Sequence, residues 1–288
     1  MMSSENITAA LSRIRGKAVV LSEVLPVSGG DIHQAFHLKT RAGDFFLKVN
    51  QAGRLAMFES EKAGLEALRK GSLKVPEVYG LTTEGEHAFL LMEFVERGEE
   101  TPEFWQRLGH GMARLHQLSS PCFGAFEDNF IGTLPQKNTS VRDGYEFFIL
   151  HRLMPQVKLA VDQSVISTAE SKVFDTFIKQ IRQLIPDQPA VLLHGDLWSG
   201  NKMPALDNQP VIFDPAVYYG WAEQDLAMTR LFGGFSPRFY QVYQEEMGMP
   251  AGWEQRMDYY NLYPLMVHVN LFGRSYWNQV SSVLRNFR

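Results

Sequence analysis

The sequence predicts an α+β chain of two lobes: a small, mainly antiparallel β lobe over residues 1–94 and a larger, mainly helical lobe over residues 95–288. Three observations carry this. Short runs of strand composition, broken by turns rich in Gly and Asp, fill the first third. After Glu96-Arg97-Gly98-Glu99-Glu100 the apolar periodicity is mostly helical to the end. Within that second part, two short apolar runs each lead into a polar segment that carries a carboxylate.

The elements follow in order. Ser3-Ser4-Glu5-Asn6 offers capping groups before Ile7-Thr8-Ala9-Ala10-Leu11, which predicts a first helix. Leu21 to Val27 reads as a strand, and Ser28-Gly29-Gly30-Asp31 breaks it. Ala35-Phe36-His37-Leu38-Lys39 resumes as a second strand, Arg41-Ala42-Gly43-Asp44 turns, and Phe45-Phe46-Leu47-Lys48-Val49 is a third. A helix from about Leu55 to Lys70 places Phe58, Leu65 and Leu68 at helical spacing. Val75 to Tyr79 and His87 to Phe94 read as two more strands.

Composition narrows the function. Hydrophobic residues make up 45% and charged residues 21% of 288, as in ordinary globular chains. A net charge of -4 without a Lys/Arg cluster argues against a nucleic-acid partner. No apolar run approaches the roughly 20 residues of a membrane span, and Met1 to Lys17 does not read as a signal peptide. The single cysteine, Cys122, excludes an intrachain disulfide and fits a reducing compartment. A cytoplasmic enzyme is expected, with monomer and homodimer both open.

The chemistry is densest at His194-Gly195-Asp196-Leu197-Trp198-Ser199-Gly200-Asn201. Asp196 is followed five residues later by the Asn201 amide, and Asp214 stands thirteen residues further on. Val191-Leu192-Leu193 runs into the first segment and Val211-Ile212-Phe213 into the second, so both polar groups fall at strand ends. A carboxylate, an amide and a second carboxylate in this order are how phosphotransferases surround ATP and magnesium. Asp196 can accept the proton of a substrate hydroxyl. Asn201 and Asp214 offer the hard oxygens that magnesium takes.

The order of elements is the two-lobed plan of protein-kinase-like enzymes, one domain with an ATP cleft between its lobes. Lys48 then sits on the third strand, where a kinase keeps the lysine that meets the ATP phosphates. Glu61 is its natural partner on the following helix, with Glu59 the rival. Gly29 and Gly30 would let backbone approach the phosphates. Met92, Glu93, Phe94 and Val95 would form the hinge against adenine.

With these residues in place the chain resembles the fructosamine kinases, or ketosamine-3-kinases, whose fold is that of aminoglycoside and choline kinases. The likeness rests on HGDLWSGN at 194–201, VIFDPA at 211–216, Tyr219-Gly220, EQDLA at 223–227 and LFGGF at 231–235. Upstream it includes VSGGDI at 27–32, FFLKVN at 45–50, GHGMARLHQ at 109–117 and DNFIGTLPQKN at 128–138. It covers nearly the whole chain.

The resemblance implies ATP-dependent phosphorylation, with Mg2+, of the third-carbon hydroxyl of ribulosamine, erythrulosamine or fructosamine. These Amadori products are free small molecules or glycated protein lysines, and their 3-phosphates break down to release the amine. It implies Asp196 as base, Asn201 and Asp214 as magnesium ligands, and Lys48 with Glu61 at the phosphates. It further implies Trp198 and His268 at the ketoamine and Asp225 as a brace of the catalytic loop. Trp221, Tyr218 and Tyr219 could also reach the cleft. Lys202-Met203-Pro204 departs from the small residues usual after Asn201, and no cysteine lies in the Gly-rich hairpin. The alternatives are another small-molecule kinase of this fold, acting on an aminoglycoside, choline or a sugar, and a nucleotide-binding pseudokinase. Three Arg and no Asp or Glu between Asn270 and Arg288 count against a polycationic aminoglycoside. The presence of Lys48, Glu61, Asp196, Asn201 and Asp214 counts against a pseudokinase.

Overall fold

A computed structural model describes residues 3–28 and 32–287. Gly29 and Gly30 lie outside the described residues.

Helix α1 (Ser4–Arg15) starts at Ser3, whose hydroxyl accepts from the Asn6 backbone N–H, and ends on Gly16 in left-handed conformation. Five strands follow: β1 (Leu21–Val27), β2 (Gln34–Thr40), β3 (Gly43–Gln51), β4 (Val78–Glu84) and β5 (His87–Glu93). They form one antiparallel sheet in the order β1-β2-β3-β5-β4. Helix α2 (Leu55–Leu68) crosses between β3 and β4.

Alternation along β3 decides what each face does. Phe45, Leu47 and Val49 pack with Leu38, Phe89 and Leu91 under Ile7, Ala10 and Leu11 of α1. Phe46 and Lys48 therefore point the other way, toward α2 and the remainder of the chain. On α2, Phe58, Leu65 and Leu68 are fully buried, which sets the helix rotation that brings Glu61 inward and leaves Glu59 exposed.

One expected strand is displaced. Val75 to Glu77 is not strand; β4 begins at Val78 and runs to Glu84. Pro76 has no N–H to give a ladder. The stretch instead buries Val75, while the neighbouring Lys74 bridges to Val211.

The second part is mainly helical. Its helices are α3 (Pro102–Leu115), α4 (Gly144–Phe147), α5 (Met154–Asp162), α6 (Thr168–Ser171), α7 (Val173–Leu184), α8 (Ala222–Arg230), α9 (Pro237–Met247), α10 (Trp253–Phe272) and α11 (Trp277–Leu284). Seven short strands are set among them: β6 (Ser119–Ser120), β7 (Asn129–Ile131), β8 (Leu134–Gln136), β9 (Ala190–Leu193), β10 (Lys202–Pro204), β11 (Pro210–Ile212) and β12 (Tyr218–Gly220). β9 is the middle strand of β12-β9-β6, and β10 pairs with β11. All four residues of β9 and all three of β11 are buried, which gives the polar segments that follow them a fixed base. Among the described residues, no helix is long and apolar enough to cross a membrane.

Candidate active site

The segment 194–201 leaves β9 at His194 and is fixed in three ways. Asp225 on α8 is the first. Its carboxylate accepts from the His194 N–H at 2.7 Å, the Gly195 N–H at 2.9 Å and His116 Nε2 at 3.1 Å. Burial opposes the charge on Asp225. The hydrogen bond and charge of His116, with the Gly195 N–H, outweigh it and hold the carboxyl below its usual value.

His194 is the second. Its Nε2 donates to the Phe213 carbonyl at 3.0 Å, and its Nδ1 accepts from the Asp196 N–H at 3.3 Å. That division of roles requires the neutral ring. Burial pulls His194 down to about 4, in the same sense.

Close approach is the third. Gly195 has φ +81°, and a Cβ there would stand 2.0 Å from the Ala216 carbonyl oxygen. The Ala216 N–H in turn donates to the His194 carbonyl at 2.9 Å. The two polar segments are thus stitched together backbone to backbone, and only glycine fits the seam.

Asp196 emerges half-buried from this frame. Asn201 Nδ2 donates to its Oδ2 at 2.9 Å and to its carbonyl at 2.8 Å. Desolvation pushes the Asp196 carboxyl up to about 7; the Asn201 bond opposes this and the Asp225 charge adds to it. Because Nδ2 is turned to Asp196, Asn201 Oδ1 faces the other way and can take a cation. Asp214 has φ +56°, a left-handed backbone that Asp tolerates better than most residues. Its carboxylate meets the Lys48 ammonium, which also donates to Glu61 Oε1 at 2.7 Å. Lys48 and Glu61 are both buried, so one lysine links β3, α2 and the segment after β11.

The segment after Asp214 is clamped from the β7–β8 hairpin. Asn129 Nδ2 donates to the Val217 carbonyl at 2.7 Å, and Gln136 Nε2 donates to the Ala216 carbonyl at 3.2 Å. Tyr263 on α10 donates to Gln136 Oε1 at 2.6 Å. Trp221 and Tyr218 are core residues, 1% and 2% exposed, so neither reaches the cleft; Tyr219 is half-buried.

At the end of β5, Met92 is buried and the Glu93 carboxylate is held by Lys74 at 2.8 Å. Phe94 and Val95 follow outside the ladder. The Phe94 ring stacks on His37 of β2, centroids 3.6 Å apart and nearly parallel.

Trp198 lies across Gly200, where a Cβ would meet its ring at 2.3 Å. His268 on α10 donates from Nδ1 to the Pro264 carbonyl at 2.8 Å. The two are joined by Phe232, whose centroid is 6.4 Å from that of Trp198 and 4.7 Å from that of His268. Phe232 was not singled out in the sequence, although it lies within LFGGF at 231–235.

Lys202 was also not singled out as a paired residue. Its ammonium is buried against Glu100 and over the Trp105 ring at 4.5 Å, with Phe104 and Phe235 nearby. Gly98 N–H donates to the Pro204 carbonyl at 2.9 Å, so the departure at 202–204 fastens the strand after Asn201 to the segment after β5.

The fold and this constellation define an ATP-dependent phosphotransferase of the kinase-like type. The model of the fructosamine kinase family matches residues 3–288, and the chain belongs to that family. A probable ketoamine kinase of Enterococcus faecium is 39% identical over 267 residues, covering 92% of this chain and 95% of that one. The chloroplastic protein-ribulosamine 3-kinase of Arabidopsis thaliana is 39% identical over 281 residues, covering 94% and 84%. A Thermobifida fusca protein, solved as a candidate fructosamine-3-kinase, superposes with a TM-score of 0.87 at 29% identity, over 98% of each chain. The aminoglycoside phosphotransferase APH(4)-Ia shares the fold, with a TM-score of 0.65 at 15% identity over 99% of this chain and 100% of that one.

Proposed function

We infer that this kinase transfers the γ-phosphoryl group of ATP to the third-carbon hydroxyl of a ketoamine, with Asp196 as the base. The carrying observation is Asp196 itself, fixed by Asn201, whose amide also reaches the Asp214 carbonyl of the Glu61–Lys48–Asp214 chain. A carboxylate raised to about 7 is a better proton acceptor near neutrality than an ordinary one. The names of the relatives, ketoamine kinase and protein-ribulosamine 3-kinase, support the substrate class.

In this reading the nucleotide lies between lobes divided near residues 94 and 95. Adenine meets the backbone of Met92 to Val95, and the sequence assigns Gly29 and Gly30 to the phosphates. Lys48, held by Glu61, neutralises phosphate charge. Asn201 Oδ1 and the Asp214 carboxylate fit magnesium, which takes few protein oxygens and completes its shell with phosphate and water. The cation supplies charge neutralisation at the transferring group. Trp198 offers an apolar face to the sugar, and His268 lines the same pocket. Breakdown of the 3-phosphate then frees the amine, a deglycation.

ADP release with magnesium-ATP over ribulosyl-lysine, fructosyl-lysine, kanamycin, choline and free ribulose tests this. Phosphate on the third carbon of a ketoamine, located by NMR, is the expected result. Turnover confined to kanamycin, choline or the free sugar overturns the substrate assignment.

A further inference from the structure

The aromatic residues around His268 form a structure of their own. Of the exposed large hydrophobic side chains among the described residues, the two aromatic ones, Phe232 and Phe272, both lie here, 37% and 47% exposed. Phe232 stands at right angles to Trp198 on one side (87°, 6.4 Å) and to Tyr276 on the other (90°, 6.2 Å). The His268 ring lies 4.7 Å from Phe232, 5.1 Å from Tyr276 and 5.4 Å from Phe272.

Phe232 reaches this place at a backbone cost. It has φ 60° and ψ 43°, a left-handed conformation that is an outlier for a bulky residue. Gly233 and Gly234 follow, also at positive φ. Glycine or asparagine at 232 would adopt the turn with less strain. The conformation gains little for the core, since the ring is among the most exposed in the chain. It gains the position of the ring, between Trp198 of the catalytic loop and His268. Strain held by a ring that packs only on other partly exposed rings, outside the buried core, points to function.

Resting on the ketoamine reading, we propose that Phe232, with Trp198 and Tyr276, forms an aromatic collar that binds the alkylammonium arm of the substrate, and that Phe232 is a specificity-determining residue. A ketoamine differs from the free ketose in its secondary ammonium and the alkyl chain beyond. Ring faces attract an ammonium and pack against methylenes, so perpendicular rings accept both at once. The sugar hydroxyls then fall toward Asp196, two residues before Trp198, and the arm leaves toward solvent past Phe272. A collar open on that side admits arms of different length.

The test compares wild type with Phe232→Asn, Phe232→Leu and Phe232→Tyr. Phe232→Asn relieves the backbone strain, so its Tm is expected to equal or exceed that of wild type. Its KM for ribulosyl-lysine is expected to rise about tenfold, while the KM for ATP stays put. The constant for free ribulose, KM or Ki, is expected to stay within about twofold, because ribulose has no arm to lose. Phe232→Leu, which keeps apolar bulk without a ring face, is expected to follow Phe232→Asn. Phe232→Tyr is expected to restore the wild-type ratio. An unchanged ratio of the two sugar constants in Phe232→Asn and Phe232→Leu overturns the collar, as does a fall in Tm with no change in KM. Absence of ketoamine turnover in wild type overturns the ketoamine reading itself, and the collar with it.

Discussion

Replacing Asp196 by asparagine is expected to stabilise the protein while removing its activity. The Asp196 carboxyl is raised from 3.8 to about 7, chiefly by desolvation, against the pull of Asn201. Between those values the folded chain holds a proton that the unfolded chain has released. Stability therefore falls as pH rises through this window, and the whole deficit is present above about 7. A shift of about 3 pH units corresponds to about 4 kcal/mol at most. Asp196 is only half-buried and opens on the cleft, so water screening reduces this to about 2 kcal/mol. Asparagine has nearly the same shape, carries no charge, and keeps an oxygen to accept from Asn201 Nδ2. For a chain of this size the gain corresponds to a Tm about 3–5 °C higher at pH 8. At pH 4.5 the gap should shrink to about 1 °C, because Asp196 is then protonated in the folded state. Thermal unfolding of both proteins at the two pH values, without nucleotide or divalent cation, measures it. Turnover in a coupled ADP assay should drop by about 10²–10⁴-fold with ATP binding retained. Equal Tm values at pH 8, or a gap that widens in acid, would show an ordinary carboxyl and refute the reasoning. Wild-type turnover in the variant would remove Asp196 from the mechanism.

The other sites give simpler expectations. Lys48→Met strands the buried Glu61 carboxylate and should cost about 3 kcal/mol in urea unfolding. Adding Glu61→Gln should recover much of that stability, but not the raised KM for ATP. Asp225→Ala leaves the His194 and Gly195 N–H groups and His116 without their acceptor, for a loss of about 3–5 kcal/mol. Gly195→Ala drives a Cβ against the Ala216 carbonyl at positive φ; a loss above about 2 kcal/mol and of most turnover is expected. Lys202→Met should change stability by less than about 1 kcal/mol, since three aromatic rings line its site and Glu100 reaches water.

The sequence carried the local part of this structure. Alternation in Phe45-Phe46-Leu47-Lys48-Val49 put Lys48 opposite the apolar face, because side-chain direction along a strand has a period of two. Helical spacing of Phe58, Leu65 and Leu68 chose Glu61 over Glu59 for the inner face of α2. The apolar runs also placed the segments that carry Asp196 and Asp214 just after β9 and β11. Where the sequence reading slipped, at Val75 to Glu77, strand composition competed with a proline that cannot serve a ladder.

Other features depend on contacts between residues far apart in the chain, and no local pattern encodes them. His116, just past the end of α3, meets Asp225 on α8 only because α8 packs beside β9 and presents its acid to the loop. The raised Asp196 carboxyl comes from burial by the surrounding fold. The seam between Gly195 and Ala216 is an approach of two loops too close to admit a Cβ. Nothing local in LFGGF at 231–235 marks Phe232; its left-handed backbone, set by the folded chain, places the ring near Trp198 and His268. Residue type and spacing determined which groups could do the chemistry, because strand and helix periods are properties of the local chain. Tertiary structure decided their protonation, their partners and the walls around them, because those follow from solvent exclusion and from distances between segments that the chain brings together only on folding.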